Sequence, residues 1–151
     1  MRRRERHSSV EHIGVRTDHI SPETRSQIMR AVKSKGARST ERKLRAALVA
    51  SGLRGWRMHA DLLPGKPDFV FPDKMLAIFV DGCFWHGCPT CYRRPHSSQS
   101  YWDAKVAGNV ARDNSRRTEL KKMGWQVMRL WEHEVKESAY GSAMRVNRAV
   151  S

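Results

Sequence analysis

Three cysteines, Cys83, Cys88 and Cys91, fall within nine residues, and the chain has no others. Thiolates spaced Cys-x4-Cys-x2-Cys can reach one metal ion, and the two-residue gap is a familiar zinc-knuckle spacing. A closed tetrahedral site needs a fourth ligand, and His86, His96 and His133 are all candidates by position. Four such ligands leave no place for water, so this zinc would order the chain rather than do chemistry. A second constellation is built of oxygen. Asp68 opens one β-prone run and Asp81 closes another thirteen residues on, so the two carboxylates can meet at one edge of a hairpin. Two hard oxygen ligands beside a basic surface are what Mg²⁺ needs to hold a phosphodiester and activate water.

The elements that must position these groups follow from pattern. Residues 1–20 carry Arg2, Arg3, Arg4, Arg6 and Arg16 with little apolar content, and read as a flexible basic arm before a single domain over 21–151. Ser21-Pro22-Glu23 opens a helix to about Lys33; Ser39 or Thr40 caps a stronger one, with Leu44, Ala47, Leu48 and Ala50 on one face and Gly52 as its stop. Strands are expected over Trp56 to His59, Asp68 to Phe71, Met75 to Val80 and Trp125 to Trp131, the third apolar enough to be buried on both faces. Tyr101 to Met123 reads as a long charged helix with Trp102, Val106, Val110 and Leu120 among its apolar positions, and the remainder after Trp131 as helix. The stretch from Asp81 to Ser100 has no periodicity and needs the cysteines as a staple. This order gives a mixed α/β sheet with helices on its faces.

Composition narrows the partner. Twenty-nine Lys and Arg against fifteen Asp and Glu give a net charge of +14, which implies a polyanion, with nucleic acid the first candidate. Lys66, Arg112 and Arg30 are candidate phosphate contacts. No run approaches the roughly 18 apolar residues of a membrane span, and no apolar core follows the charged start, so a cytoplasmic protein is expected. Phe84-Trp85, two large aromatics in a Gly-rich loop, suit contact with bases more than core packing.

Pro67-Asp68 followed by Asp81 resembles the PD-(D/E)xK nucleases, although Gly82-Cys83 follows and no Lys completes the usual motif. The wider string is more specific. Leu63-Pro64-Gly65-Lys66-Pro67-Asp68-Phe69-Val70, then Ile78-Phe79-Val80-Asp81-Gly82-Cys83-Phe84-Trp85-His86-Gly87-Cys88-Pro89, then Asn109-Val110-Ala111-Arg112-Asp113, then Gly124-Trp125-Gln126-Val127 with Trp131-Glu132-His133, resemble the very-short-patch (Vsr) repair endonucleases in order and spacing. The resemblance spans about Glu23 to Val135. It implies a restriction-endonuclease-like fold with a structural zinc, and a magnesium-dependent nick 5′ to the T of a T:G mismatch that starts repair of deaminated 5-methylcytosine. It makes Asp68 the principal magnesium ligand together with the backbone carbonyl of Val80, His86 the base, Asp113 its partner and Glu41 an additional acid near the metal. Asp81 stands where some members carry His, and either binds metal or tunes the site. Zinc would be held by Cys83, Cys88, Cys91 and His133, and Phe84, Trp85, Met29 and Trp102 would wedge into the base stack, which costs least at a mispaired step. For Met29 and Trp102, which lie on amphipathic helices, core packing is an equal reading.

The expected partner is duplex DNA with a T:G mismatch, bound by a monomer, with contact to other repair proteins left open. Two competitors remain: a sequence-specific restriction-type nuclease with no mismatch requirement, and a non-catalytic zinc-containing DNA-binding protein. Asp68, His86 and Asp113 together argue against the second, since binding alone requires no such trio.

Overall fold

The computed structural model describes residues 39–151. The basic arm, the expected helix from Pro22, and the candidate contacts Met29 and Arg30 lie outside the described residues. Helix α1 covers 39–50 and buries Thr40, Leu44 and Leu48, one residue per turn, while Ala50, expected on the same face, is exposed. Gly52, at φ +73°, ends it as expected. Then come β1 (Arg57–Met58), β2 (Phe69–Phe71), β3 (Leu76–Asp81), helix α2 (Gln99–Lys122), β4 (Gln126–Trp131), α3 (Glu132–Glu137) and α4 (Ala139–Val150). Met75 does not begin β3 as expected. It takes a left-handed conformation at φ +50° and closes a short 3-10 turn over Pro72–Lys74. None of the described helices is long and apolar enough to cross a membrane.

The sheet order is β1-β2-β3-β4, antiparallel for the first two pairings and parallel for β3 with β4. A parallel neighbour requires a crossover, and the cysteine loop and α2 supply it. Side chains alternate along β3. Leu76, Ile78 and Val80 join Phe69, Phe71 and Leu130 in a core closed by Leu44 and Leu48 of α1 and by Val135, Ala143 and Val146 of α3 and α4. Ala77 and Val70 face the other way, onto Leu120 of α2, with Phe79 and Val127 beside them. The result is a mixed sheet with helices on both faces, as the element order requires.

That alternation decides where the chemistry sits. Asp81, two residues past Phe79, and Arg129, two past Val127, share the face covered by α2. Asp68, two before Val70, extends the same row on β2. On α2, Trp102, Val106, Asn109, Asp113, Arg116 and Leu120 recur at intervals of three or four residues, a stripe buried at Trp102, Val106 and Leu120 with half-buried Asn109 and Asp113 and exposed Arg116 between them.

Candidate active site and metal centre

The cleft between this sheet face and α2 holds about 200 Å³ and contains Asp68, Val80, Asp81, His86 and Asp113 together. Lys66 lies on its rim with Arg116 and Arg117. Asp68 donates its backbone N–H to the Ile78 carbonyl at 3.0 Å, which fixes it at the head of β2. Its Oδ2 then accepts the Val80 N–H at 2.7 Å. Burial pushes its carboxyl up to about 8, with the carboxylates of Glu41 and Asp81 adding to the rise against the Val80 N–H, which lowers it. Two acids beside one partly buried carboxylate disfavour its ionisation, which a cation bound there would restore. Beside Asp68, ligand atoms of Asp81, His86 and Asp113 lie within 4.8 Å of one another, a second group able to hold a cation in the same cleft. Glu41 comes from the first turns of α1, where its carboxylate also lies 3.9 Å from His59.

His86 lies across the cleft. Its Nδ1 is 2.5 Å from Asp113 Oδ2, so that nitrogen carries a proton and the ring is oriented by a carboxylate on α2. Its Nε2 is 3.6 Å from Asp81 Oδ1, too far for a direct hydrogen bond. Asn109, one turn before Asp113, donates to the Trp85 carbonyl at 3.0 Å and ties the loop to the same helix. Gly87, at φ +62°, lets the loop approach closely: a Cβ there would meet Val106 Cγ1 at 3.3 Å.

The three cysteines converge on His133 rather than on His86. Cys83 Sγ and Cys88 Sγ lie 3.3 Å and 3.6 Å from His133 Nδ1, and with Cys91 the four ligand atoms fall within 4.8 Å of one another. The parallel register explains the meeting. Asp81 pairs with Trp131, so Cys83 and His133, each two residues beyond, leave the sheet side by side. Edges of a tetrahedron with metal–sulfur bonds of about 2.3 Å and metal–nitrogen bonds of about 2.0 Å are roughly 3.5 Å, which these distances match. Burial raises the Cys83 thiol to about 12. Burial also acts to raise Cys88, but hydrogen bonds from the Thr90 hydroxyl and the Thr90 and Cys91 backbone outweigh it and bring that thiol to about 7. One of the pair ionises at the other's expense, and a bound cation would remove that conflict.

The aromatic candidates pack on one another. Phe84 meets Trp85 edge-on at 5.6 Å and Trp102 at 5.4 Å, and Tyr92 lies 5.8 Å away. Trp85 and Trp102 are buried and Phe84 is partly exposed. Arg112 points along its own helix, bonded to Gly108 O at 3.3 Å and Asn109 Oδ1 at 2.5 Å, and does not line the cleft.

Sequence reasoning missed Arg129, Arg116 and Arg117. Arg129 is the one charged residue of strand β4, QVMRLW, flanked on both sides by apolar residues, and that was its signal. No comparable signal marks Arg116 and Arg117, which stand on a helix charged along much of its length.

A family model described as DNA mismatch endonuclease Vsr matches residues 17–93. The chain is 42% identical over 123 residues to the type II nicking enzyme V.XorIIP of Xanthomonas oryzae pv. oryzae, covering 80% of this chain and 88% of that one. It is 39% identical over 125 residues to the type II nicking enzyme V.NaeI of Lentzea aerocolonigenes, covering 80% and 74%. The DNA mismatch endonuclease Vsr of Escherichia coli is 37% identical over 111 residues, covering 72% and 69%. Matches of this length across the strands, the loop and the helix that build the cleft establish that the chain belongs to the Vsr DNA mismatch endonuclease family and is a DNA endonuclease.

Proposed function

We propose that the protein is a magnesium-dependent endonuclease of restriction-endonuclease-like, PD-(D/E)xK-type fold, which nicks one DNA strand 5′ to the T of a T:G mismatch. The observation that carries this reading is the meeting, in one cleft, of the Asp68 carboxylate cluster with a histidine already oriented by Asp113.

Asp68 and the Val80 backbone carbonyl would hold the magnesium, with Glu41 reaching it through water. When bound, Mg²⁺ supplies charge to a phosphate oxygen and to the leaving oxygen. The chain's own residues do the rest. Val80 N–H fixes the Asp68 carboxylate. With Nδ1–H directed at Asp113, His86 presents the Nε2 lone pair to the attacking water and takes its proton as the water oxygen bonds to phosphorus and the phosphorus–oxygen bond to the leaving sugar oxygen breaks; that oxygen takes a proton from solvent water, and Asp113 stabilises the imidazolium. Lys66, Arg116 and Arg117 have no acidic partner among the described residues and suit the flanking phosphates. Phe84, with Trp85 and Trp102 behind it, suits insertion beside a mispaired base. Cys83, Cys88, Cys91 and His133 fit one zinc ion that orders the loop carrying His86.

Three of the relatives named above divide the reading. Two are nicking enzymes by name and one is a mismatch endonuclease, so a nick without mismatch dependence is the alternative. Purified protein with Mg²⁺ is incubated with otherwise identical T:G and C:G duplexes in varied contexts. A nick only in the T-containing strand of the T:G duplex is expected. Cleavage of both duplexes overturns the mismatch requirement, and binding without cleavage overturns catalysis.

A further inference from the structure

The geometry points to Arg129 as a positioning residue: its guanidinium clamps the two carboxylates that flank His86 and so holds the imidazole in its working orientation. Arg129 Nε lies 2.6 Å from Asp81 Oδ2, and Nη2 lies 3.3 Å from Asp113 Oδ2. Those same residues face the two nitrogens of His86, Asp113 at Nδ1 and Asp81 at Nε2. Asp81 comes from the sheet, Asp113 from α2 and His86 from the loop, and one planar cation on β4 ties the first two. The guanidinium is itself held from below, 4.8 Å from the centre of the Trp131 ring. Its side chain is only 21% exposed, so solvent does not screen the contacts fully.

The planar guanidinium spans both acids: Nη2 donates to Asp113, while Nε meets Asp81 as a close ion pair without hydrogen-bond alignment, a geometry that the compact ammonium of lysine does not reproduce. Without the clamp, the carboxylates on either side of the imidazole would lose the guanidinium charge they share, and Asp81 could compete with Asp113 for the ring proton, leaving Nε2 protonated and unable to accept from water. With Asp81 Oδ2 committed to Arg129, Asp81 serves the histidine side of the cleft. The inference rests on the proposed role of His86 and deepens it.

The test compares full-length Arg129→Met, Arg129→Lys and His86→Ala with wild type for nicking, DNA affinity and the tautomer of His86 read by ¹⁵N NMR. The expected result for Arg129→Met is a kcat about a hundredfold lower with KM and DNA affinity unchanged, and a redistributed His86 tautomer. Arg129→Lys should recover part of the kcat, since one acid is still paired, and it carries the test if the methionine variant fails to fold. If His86→Ala nicks like wild type, the role of His86 falls. If His86→Ala is inactive while both Arg129 variants keep wild-type kcat and tautomer, the clamp alone is wrong. A weakened DNA affinity with kcat intact would mean that Arg129 binds a phosphate, which also overturns it.

Discussion

Asp113 is the residue at which shape and charge can be separated. Asparagine keeps its volume but offers His86 a neutral partner and can turn its amide N–H toward Nδ1, favouring the wrong tautomer. Asp113→Asn should lower nicking by about 10²–10⁴-fold, with mismatch binding unchanged in a gel-shift titration. Asp68 carries the pH dependence. Its carboxyl, normally near 3.8, is raised to about 8 by burial and then by Glu41 and Asp81. A raised folded value means that the stability contributed by the protonated group is full below about 4 and is lost as pH rises through about 8. Metal-free protein, kept in magnesium-free buffer without chelator, should therefore melt at lower temperature at pH 8.5 than at pH 6, and Asp68→Asn should remove that difference. Magnesium must displace the same proton, so its affinity should fall about tenfold per pH unit below 8, as read by titration calorimetry. At this scale the sequence was informative where chemistry follows from residue type and silent where it follows from register. The cysteine spacing announced a metal site, but His86, His96 and His133 could not be told apart until the ends of β3 and β4 were seen to coincide. His86 and Asp113, twenty-seven residues apart, were joined only by family resemblance. Arg129 escaped because no local pattern says that a strand arginine will face two acids.

The loop from Gly82 to Ser98 would join order to chemistry, since the proposed base His86 lies between two of the proposed zinc ligands, Cys83 and Cys88. Cys88→Ala should lose the bound metal by elemental analysis and lower thermal stability and nicking together, because the ion supplies ordering energy that the loop's own contacts lack. His133→Ala should do the same, whereas His86→Ala should keep the metal. Gly87→Ala probes how the loop sits on α2. A methyl group at φ +62°, 3.3 Å from Val106, costs about 1–2 kcal/mol, lowers Tm by roughly 3–8 °C, and shifts His86 from Asp113. Its signature is lost kcat with retained metal and DNA affinity. Elements were more legible than their ends. The long helix, stopped by Gly124, and the buried third strand are legible from their apolar residues, and the remainder after Trp131 is legible as helix without its division into α3 and α4. The first strand shrank to Arg57–Met58, and Gln99 rather than Tyr101 begins α2. These boundaries depend on pairing partners and loop geometry, which no window of sequence contains.

For the whole molecule, a charge of +14 means that affinity comes largely from counterion release, steeply dependent on salt. The arginines of residues 1–20 add charge without any local sequence feature that would aim them at base edges. Deleting that segment should weaken matched and T:G duplexes by similar factors, flatten the salt slope and leave the nick position unchanged; selective loss on the T:G duplex would show instead that the segment reads the mismatch. The parallel pairing of β3 with β4 has a further consequence, for timing. A chain emerging from the ribosome exposes Glu41, Asp68, Asp81 and His86 early, and even Asp113 precedes the strand that completes the sheet. Arg129 and His133 arrive with β4 and α3, and only when β4 docks beside β3 can the guanidinium join the two acids and the imidazole of His133 close the thiolate cluster. A synthesis product broken off before β4 would hold nearly every group of the proposed site but lack the strand that completes the sheet, so a chain ending at Gly124 is expected not to nick DNA, as an activity assay on that fragment would check.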